Sequence, residues 1–142
     1  MLTVRLPAAP DAVAPDGSEV RVLVTCEGAS MAHFSLAAGA TSVALAHRTL
    51  DELWYVVSGA GEMWRRSEET GEETTVEMAP GVALSIPRRT HFQFRSTGTE
   101  PLAAVGTTVP AWPGIGDLSG KGEVYAVDGP WPATVEPGTD LS

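Results

Sequence analysis

Polar and apolar residues alternate along most of this chain in short runs, and glycine or proline interrupts the runs at regular intervals. Ser18 to Thr25 (SEVRVLVT) sets Val20, Val22 and Val24 on one face and Leu23 on the other, the period-two pattern of a half-buried strand. Glu27-Gly28-Ala29-Ser30 reads as a turn and Met31 to Leu36 as the next strand. Further strands are predicted at Ser42 to His47, Leu53 to Val57, Glu62 to Arg66, Thr74 to Met78, Val82 to Pro87, Thr90 to Arg95 and Leu102 to Val109. No segment keeps a helical period over three turns. Short strands with Gly/Pro turns predict an all-β fold, an antiparallel barrel or two-sheet jelly roll.

The flanks break this pattern. Residues 1–17 carry Pro7, Pro10 and Pro15 and read as an N-terminal arm, with the barrel over 18–109. Residues 110–142 form a tail in which Pro113, Pro130, Pro132 and Pro137 alternate with Trp112 and Trp131. Proline cannot donate to a sheet ladder, so the tail should wrap the surface rather than add central strands. Its tryptophans should pack on the barrel or on a partner subunit. A homodimer, formed through an edge strand or the arm, is expected because it would cover strand edges that otherwise invite aggregation.

Composition removes several classes of function. At 142 residues the chain is one ordinary domain with enough apolar sequence to bury a core. A formal charge of −9 argues against nucleic acid, which needs a basic footprint, and disfavours an anionic membrane surface. No uncharged apolar run approaches bilayer thickness. The N-terminal residues lack a signal-peptide pattern, and the single cysteine, Cys26, cannot form an internal disulfide. A reducing cytoplasm is therefore expected, with Cys26 buried and inert.

Candidate chemistry lies in two spaced motifs, Gly39-x7-His47-x4-Glu52-x6-Gly59 and Gly81-x5-Pro87-x3-His91. Two imidazoles and one carboxylate are the ligand set of an open-sided divalent metal site. Strand parity groups Leu45 with His47, Glu52 with Trp54 and Val56, and His91 with Gln93 and Arg95. A carboxylate pointing into an apolar barrel is costly unless bound, so Glu52 needs a metal, or Arg48 or Arg95, as partner. Arg88-Arg89 follows Pro87 where a barrel mouth is expected, either as a solvated loop or as a clamp for an anionic substrate group.

These motifs resemble those of the cupin family. The family's first motif runs Gly, five residues, His-x-His, three or four residues, Glu, six residues, Gly; here Gly39, His47, Glu52 and Gly59 match, and Leu45 stands at the first histidine. The second runs Gly, five residues, Pro-x-Gly, two residues, His, three residues, Asn. Gly81, Pro87 and His91 match, with Arg89 at the glycine, the histidine one residue early, and Arg95 at the asparagine. The resemblance implies a barrel whose inner wall carries His47, Glu52 and His91 as ligands of a divalent transition metal (Fe, Mn, Ni or Zn) and as catalytic residues. Gln93 is then the fourth contributor, and Leu45, Trp54, Gln93, Arg89 and Arg95 are the substrate contacts. The activity implied is that of a metal-dependent dioxygenase, isomerase or cyclase acting on a small organic molecule. The alternatives are a metal-free isomerase or cyclase using His/Glu acid–base chemistry, or a non-catalytic small-molecule binder.

Overall fold

The computed structural model describes residues 1–113 and 122–138. Among the described residues, eleven strands form two antiparallel sheets packed face to face, and there is no helix. In chain order they are β1 (Ala12–Val13), β2 (Glu19–Thr25), β3 (Ser30–Leu36), β4 (Leu45–His47), β5 (Asp51–Ser58), β6 (Gly61–Ser67), β7 (Glu73–Met78), β8 (Ala83–Ile86), β9 (Thr90–Ser96), β10 (Leu102–Val109) and β11 (Val124–Ala126). One sheet has the order β1-β2-β3-β10-β5-β8 and the other β11-β4-β9-β6-β7. This is a jelly roll, in which strands distant in sequence are neighbours in space.

The apolar positions face inward from both sheets. Leu36, Trp54, Val56, Leu84, Ile86, Leu102 and Ala104 come from the first sheet, and Leu45, Met63, Met78, Phe92 and Phe94 from the second. Trp54 is the centre of this core. Its indole stacks on Phe34 at 5.2 Å and takes Phe94 edge-on at 5.0 Å. Room for that stack exists because residue 106 is glycine: a Cβ there would sit 2.7 Å from the Phe34 ring and 3.1 Å from Trp54 Nε1. Truncating such an aromatic to alanine costs about 3–5 kcal/mol.

The flanks are more structured than their prolines suggested. Residues 12–13 of the arm pair with β2, and the Asp11 carboxylate accepts the Val22 amide at 2.8 Å. In the tail, β11 adds an edge strand to β4 through Val124↔His47 and Ala126↔Leu45. Beyond it, Trp131 packs beneath the Arg95 guanidinium at 4.1 Å, on the outer face of the second sheet. Strand β4 begins at Leu45 rather than at Ser42, because Ser42 bonds instead to both the N–H and the C=O of Phe94. Cys26, expected to be buried, is exposed in the turn after β2, next to the bulge that ends the regular β2–β3 pairing.

Candidate functional site

At one end the sheets stop short of full packing and leave a cavity of about 240 Å³ between β2, β3, β4, β5, β10, β11 and the arm. Its walls are mostly apolar, including Val20, Val22, Met31, Phe34, Leu45 and Trp112. Three ionisable groups line it: His47, Glu52 and Asp16.

His47 ends β4 and Glu52 lies near the start of β5, so the tight turn between those strands sets their geometry. His47 Nε2 stands 3.4 Å from Glu52 Oε2, and both residues are 4 % exposed. The same oxygen accepts the Trp54 indole N–H at 3.2 Å. Glu52 Oε1 has no hydrogen-bond partner among the described residues. The 48–50 turn is held by Glu123, just before β11, which accepts the amides of Thr49 and Leu50 at 3.0 Å each and the Thr49 hydroxyl at 2.6 Å. Glu123 Oε1 also stands 3.9 Å from His47 Nδ1. Burial opposes charge on His47, but Glu52, as ion and hydrogen-bond partner, outweighs it with help from Glu123 and Asp16, and the imidazole pKa is raised.

Asp16 and Glu123 are site residues that sequence reasoning missed. Asp16 belongs to the arm, yet is 4 % exposed. Its Oδ1 accepts both the Ser18 amide at 2.9 Å and the Ser18 hydroxyl at 2.6 Å. Burial pushes its carboxyl up to about 6, against the Ser18 bonds that lower it and with a further push from Glu52. An Asp-x-Ser turn is the only local signal, and turns of that kind occur on many surfaces.

His91 does not join His47 and Glu52. It lies on the outer face of β9, where its Nε2 is 2.9 Å from Glu68 Oε1. The Tyr125 hydroxyl donates to the same carboxylate oxygen, and Arg89 Nη1 is 3.9 Å from the other. The Tyr125 hydrogen bond, ahead of those of His91, holds the Glu68 pKa below its usual range. The inward positions of β9 belong to Phe92 and Phe94, which are 2 % and 1 % exposed. The physical reason is the one-residue offset in the second motif. Arg89 adopts the left-handed backbone, φ 56°, that the motif's glycine would take. Counting on from it puts Phe92 at the inward histidine position, and a slip of one residue turns a strand side chain to the opposite face.

The other members of that parity are displaced with it. Gln93 faces outward and pins the tail, donating to the carbonyls of Ser42 and Trp131 at 2.8 Å each and accepting the Trp131 amide at 3.2 Å. Arg95 donates to Glu62 at 2.7 and 3.0 Å, so it is not the partner of Glu52. Neither Arg88 nor Arg89 lines the cavity: Arg88 is tied to Asp51 through its amide at 2.8 Å and its guanidinium at 3.1 Å. Trp54 acts from the core, orienting Glu52, rather than from the cavity wall. Leu45 lines the cavity beside His47.

The expected metal set is therefore not assembled. Of the four family ligand positions, Leu45 and Phe92 are apolar, and only His47 and Glu52 carry donors. Among the described residues, no three His, Cys, Asp or Glu side chains are grouped so as to hold an ion. The residues present do not fit a three-ligand centre.

Comparison with known proteins agrees with this architecture. Staphylococcus aureus CapF, a capsular polysaccharide assembling protein, superposes with a TM-score of 0.67 at 15 % identity over 89 % of this chain and 33 % of CapF. The Bacillus halodurans protein BH2720 gives 0.58 at 23 % identity over 69 % of this chain and 71 % of its own. Bacillus subtilis oxalate decarboxylase, a protein with Mn(II) centres, gives 0.60 at 19 % identity over 70 % of this chain and 27 % of its own. The chain thus spans about a third of CapF and about a quarter of the decarboxylase. These identities speak to the fold alone. No curated protein matches the chain. The Cupin domain family matches residues 32–108, from β3 through β10. With more than half its length inside that match and a two-sheet antiparallel barrel around it, the chain belongs to the cupin family.

Proposed function

We propose that this cupin takes a small, largely apolar organic molecule into the cavity between its sheets and transfers a proton on it through Glu52, without a metal. The observation that carries the reading is the buried Glu52–His47 pair at 3.4 Å in an apolar cavity, with Leu45 and Phe92 at the other two ligand positions. His47 and Trp54 both address Oε2, which leaves Oε1 to meet the ligand. A raised imidazole pKa makes His47 the cationic partner that steadies the carboxylate, and leaves Glu52 as the group that accepts and returns the proton. This is the acid–base chemistry of an isomerase or cyclase. Exclusion of water by the apolar walls strengthens each of these interactions.

The test uses a neutral probe. Cyclohexanone in deuterated buffer, with protein treated with EDTA, should incorporate deuterium next to its carbonyl faster than in buffer alone. Glu52→Gln should reduce that rate about 10²-fold or more, and chelation should not change it. Exchange that needs an added divalent ion, or that survives Glu52→Gln, counts against the reading.

We also propose a second copy of this chain as its partner. On β5, Leu53, Tyr55 and Val57 face outward at 41–55 % exposure, and Leu2, Val4 and Leu6 of the arm are uncovered as well. Alternate apolar residues on an extended arm suit the open sheet face of a second copy. Sedimentation should give a dimer that Leu53→Glu weakens; a monomer at high concentration contradicts it.

A further inference from the structure

The ionisable groups around the cavity are unbalanced in sign. Asp16 and Glu52 line it, and Glu123 stands behind His47. Among the described residues, no arginine or lysine lines it. The arginines that could have reached it are engaged elsewhere: Arg48 donates to Gly122 O at 2.7 Å and lies over the Tyr125 ring, Arg88 is on Asp51 and Arg95 on Glu62. Among the described residues, His47 is the single cationic candidate beside the three carboxyl groups of Asp16, Glu52 and Glu123.

Two of those carboxyl groups keep an unused oxygen. Ser18 occupies Asp16 Oδ1 twice, and Oδ2 has no hydrogen-bond partner among the described residues. Glu52 is in the same position, with His47 and Trp54 on Oε2 and nothing on Oε1. Each residue is 4 % exposed, so bulk water does not solvate them freely. Both residues line the cavity, so these two free oxygens are acceptors available to a ligand in one small space. His47 adds a further unmet group, since its buried Nδ1 also lacks a hydrogen-bond partner.

We propose that the cavity is a binding site for a small organic ammonium ion, whose N–H groups meet Asp16 Oδ2 and Glu52 Oε1 and whose apolar part lies against Val22, Met31, Phe34, Leu45 and Trp112. This rests on the cavity being the ligand site, and it names the class of molecule that site selects. An ammonium carries several donors on one centre, which suits two acceptors facing the same space. The aromatic faces of Phe34 and Trp112 accept a cation at little cost. A carboxylate or phosphate ligand would meet the Asp16 and Glu52 carboxyl groups and, among the described residues, no arginine or lysine in the cavity lining. Asp16 is thus a specificity residue, and its high proton affinity is the counterpart of the missing cation: the fold without ligand disfavours its charge, and an ammonium restores it.

The experiment is calorimetric titration of the wild-type protein at pH 7.5 with benzylamine, benzyl alcohol and benzoate, three probes of nearly equal shape. Benzylamine should bind about tenfold or more tightly than benzyl alcohol, the scale of one charge-assisted hydrogen bond, and benzoate should bind weakest. Lowering the pH below about 6 should shrink the benzylamine advantage as Asp16 takes up its proton. Asp16→Asn should cut it severalfold at pH 7.5. Benzoate binding as tightly as benzylamine, an unaltered benzylamine preference in Asp16→Asn, or no binding of any probe to the wild type would overturn the proposal. The wild-type series decides the matter even if Asp16→Asn does not fold. Deuterium exchange into cyclohexanone is independent of probe charge. Proton transfer without amine preference therefore refutes only this proposal, and amine preference without proton transfer refutes only the catalytic reading.

Discussion

His47 and His91 lie on neighbouring strands of one sheet, β4 and β9, and each faces a glutamate. The His91–Glu68 contact, at 2.9 Å, is shorter than the His47–Glu52 contact at 3.4 Å. Distance alone would rank the outer pair higher. Solvent reverses the ranking. The His91 and Glu68 side chains are 20 % and 33 % exposed, and such pairs contribute about 0–1 kcal/mol because water competes for both ions. His47 and Glu52 are each 5 % exposed in their side chains, and the His47 ring packs against those of Phe92 and Trp112. There the effective dielectric is lower, and a lost partner strands a buried charge at a cost of about 3–5 kcal/mol. The same two residue types make a surface clasp in one place and a buried, cavity-lining pair in the other.

The sharpest way to break that contrast is to delete one histidine at a time. His47→Ala should destabilise the fold by about 3 kcal/mol or more and abolish cyclohexanone exchange. His91→Ala should lower stability by at most about 1 kcal/mol and leave exchange unchanged. Thermal unfolding and the exchange assay, run side by side on both variants, read the difference. Equal losses would mean that His91 reaches the cavity.

Rebuilding the family's ligand set sharpens the comparison from the other direction. Position 92 faces inward and position 91 does not. Leu45→His combined with Phe92→His should therefore create a centre that holds about one Zn(II) or Mn(II) per chain, at some cost in core packing. Leu45→His alone, with His91 unchanged, should bind far more weakly. Tight binding by the single variant would contradict the assignment of faces on β9.

A smaller effect follows from protonation. Asp16 is at about 6 in the fold against 3.8 without it, so the folded state holds its proton more tightly. That stability is complete below the lower value and is lost as pH rises through about 6, a change on the order of 3 kcal/mol. His47, also raised, adds in the same sense: its contribution is present below 6.5 and is lost as pH climbs through the folded value. Wild-type protein should melt at a higher temperature at pH 5 than at pH 8. Asp16→Asn should flatten most of the slope below pH 7, and His91→Ala should leave it intact. A slope of opposite sign would show that these groups are not buried as described.

The sequence carried the fold clearly because a jelly roll is written in alternation and turns. Nearly every predicted strand lies within a residue or two of an observed one, and the exceptions have local causes. At β4, Ser42 satisfies Phe94 rather than continuing the ladder, while β1 and β11 are too short to show alternation. The site was half legible. His47 and Glu52 follow from spacing across a tight turn, where a register error has little room to accumulate. His91 fails because strand faces alternate, so one missing residue after Pro87 exchanges inside for outside, and Gln93 and Arg95 go with it. The left-handed conformation at Arg89 marks the true register, but an arginine gives no sign of it in sequence. Asp16 and Glu123 come from the arm and the tail, and their approach to His47 depends on tertiary packing that no local pattern encodes.

The central claim is that this barrel keeps a buried His–Glu pair without the ligands that would make it a metal centre. Elemental analysis tests it most directly. Wild-type protein purified without chelator and dialysed against Fe(II), Mn(II), Ni(II) or Zn(II) should retain well under one ion per chain. One tightly held ion per chain, lost in both His47→Ala and His91→Ala, would contradict the account.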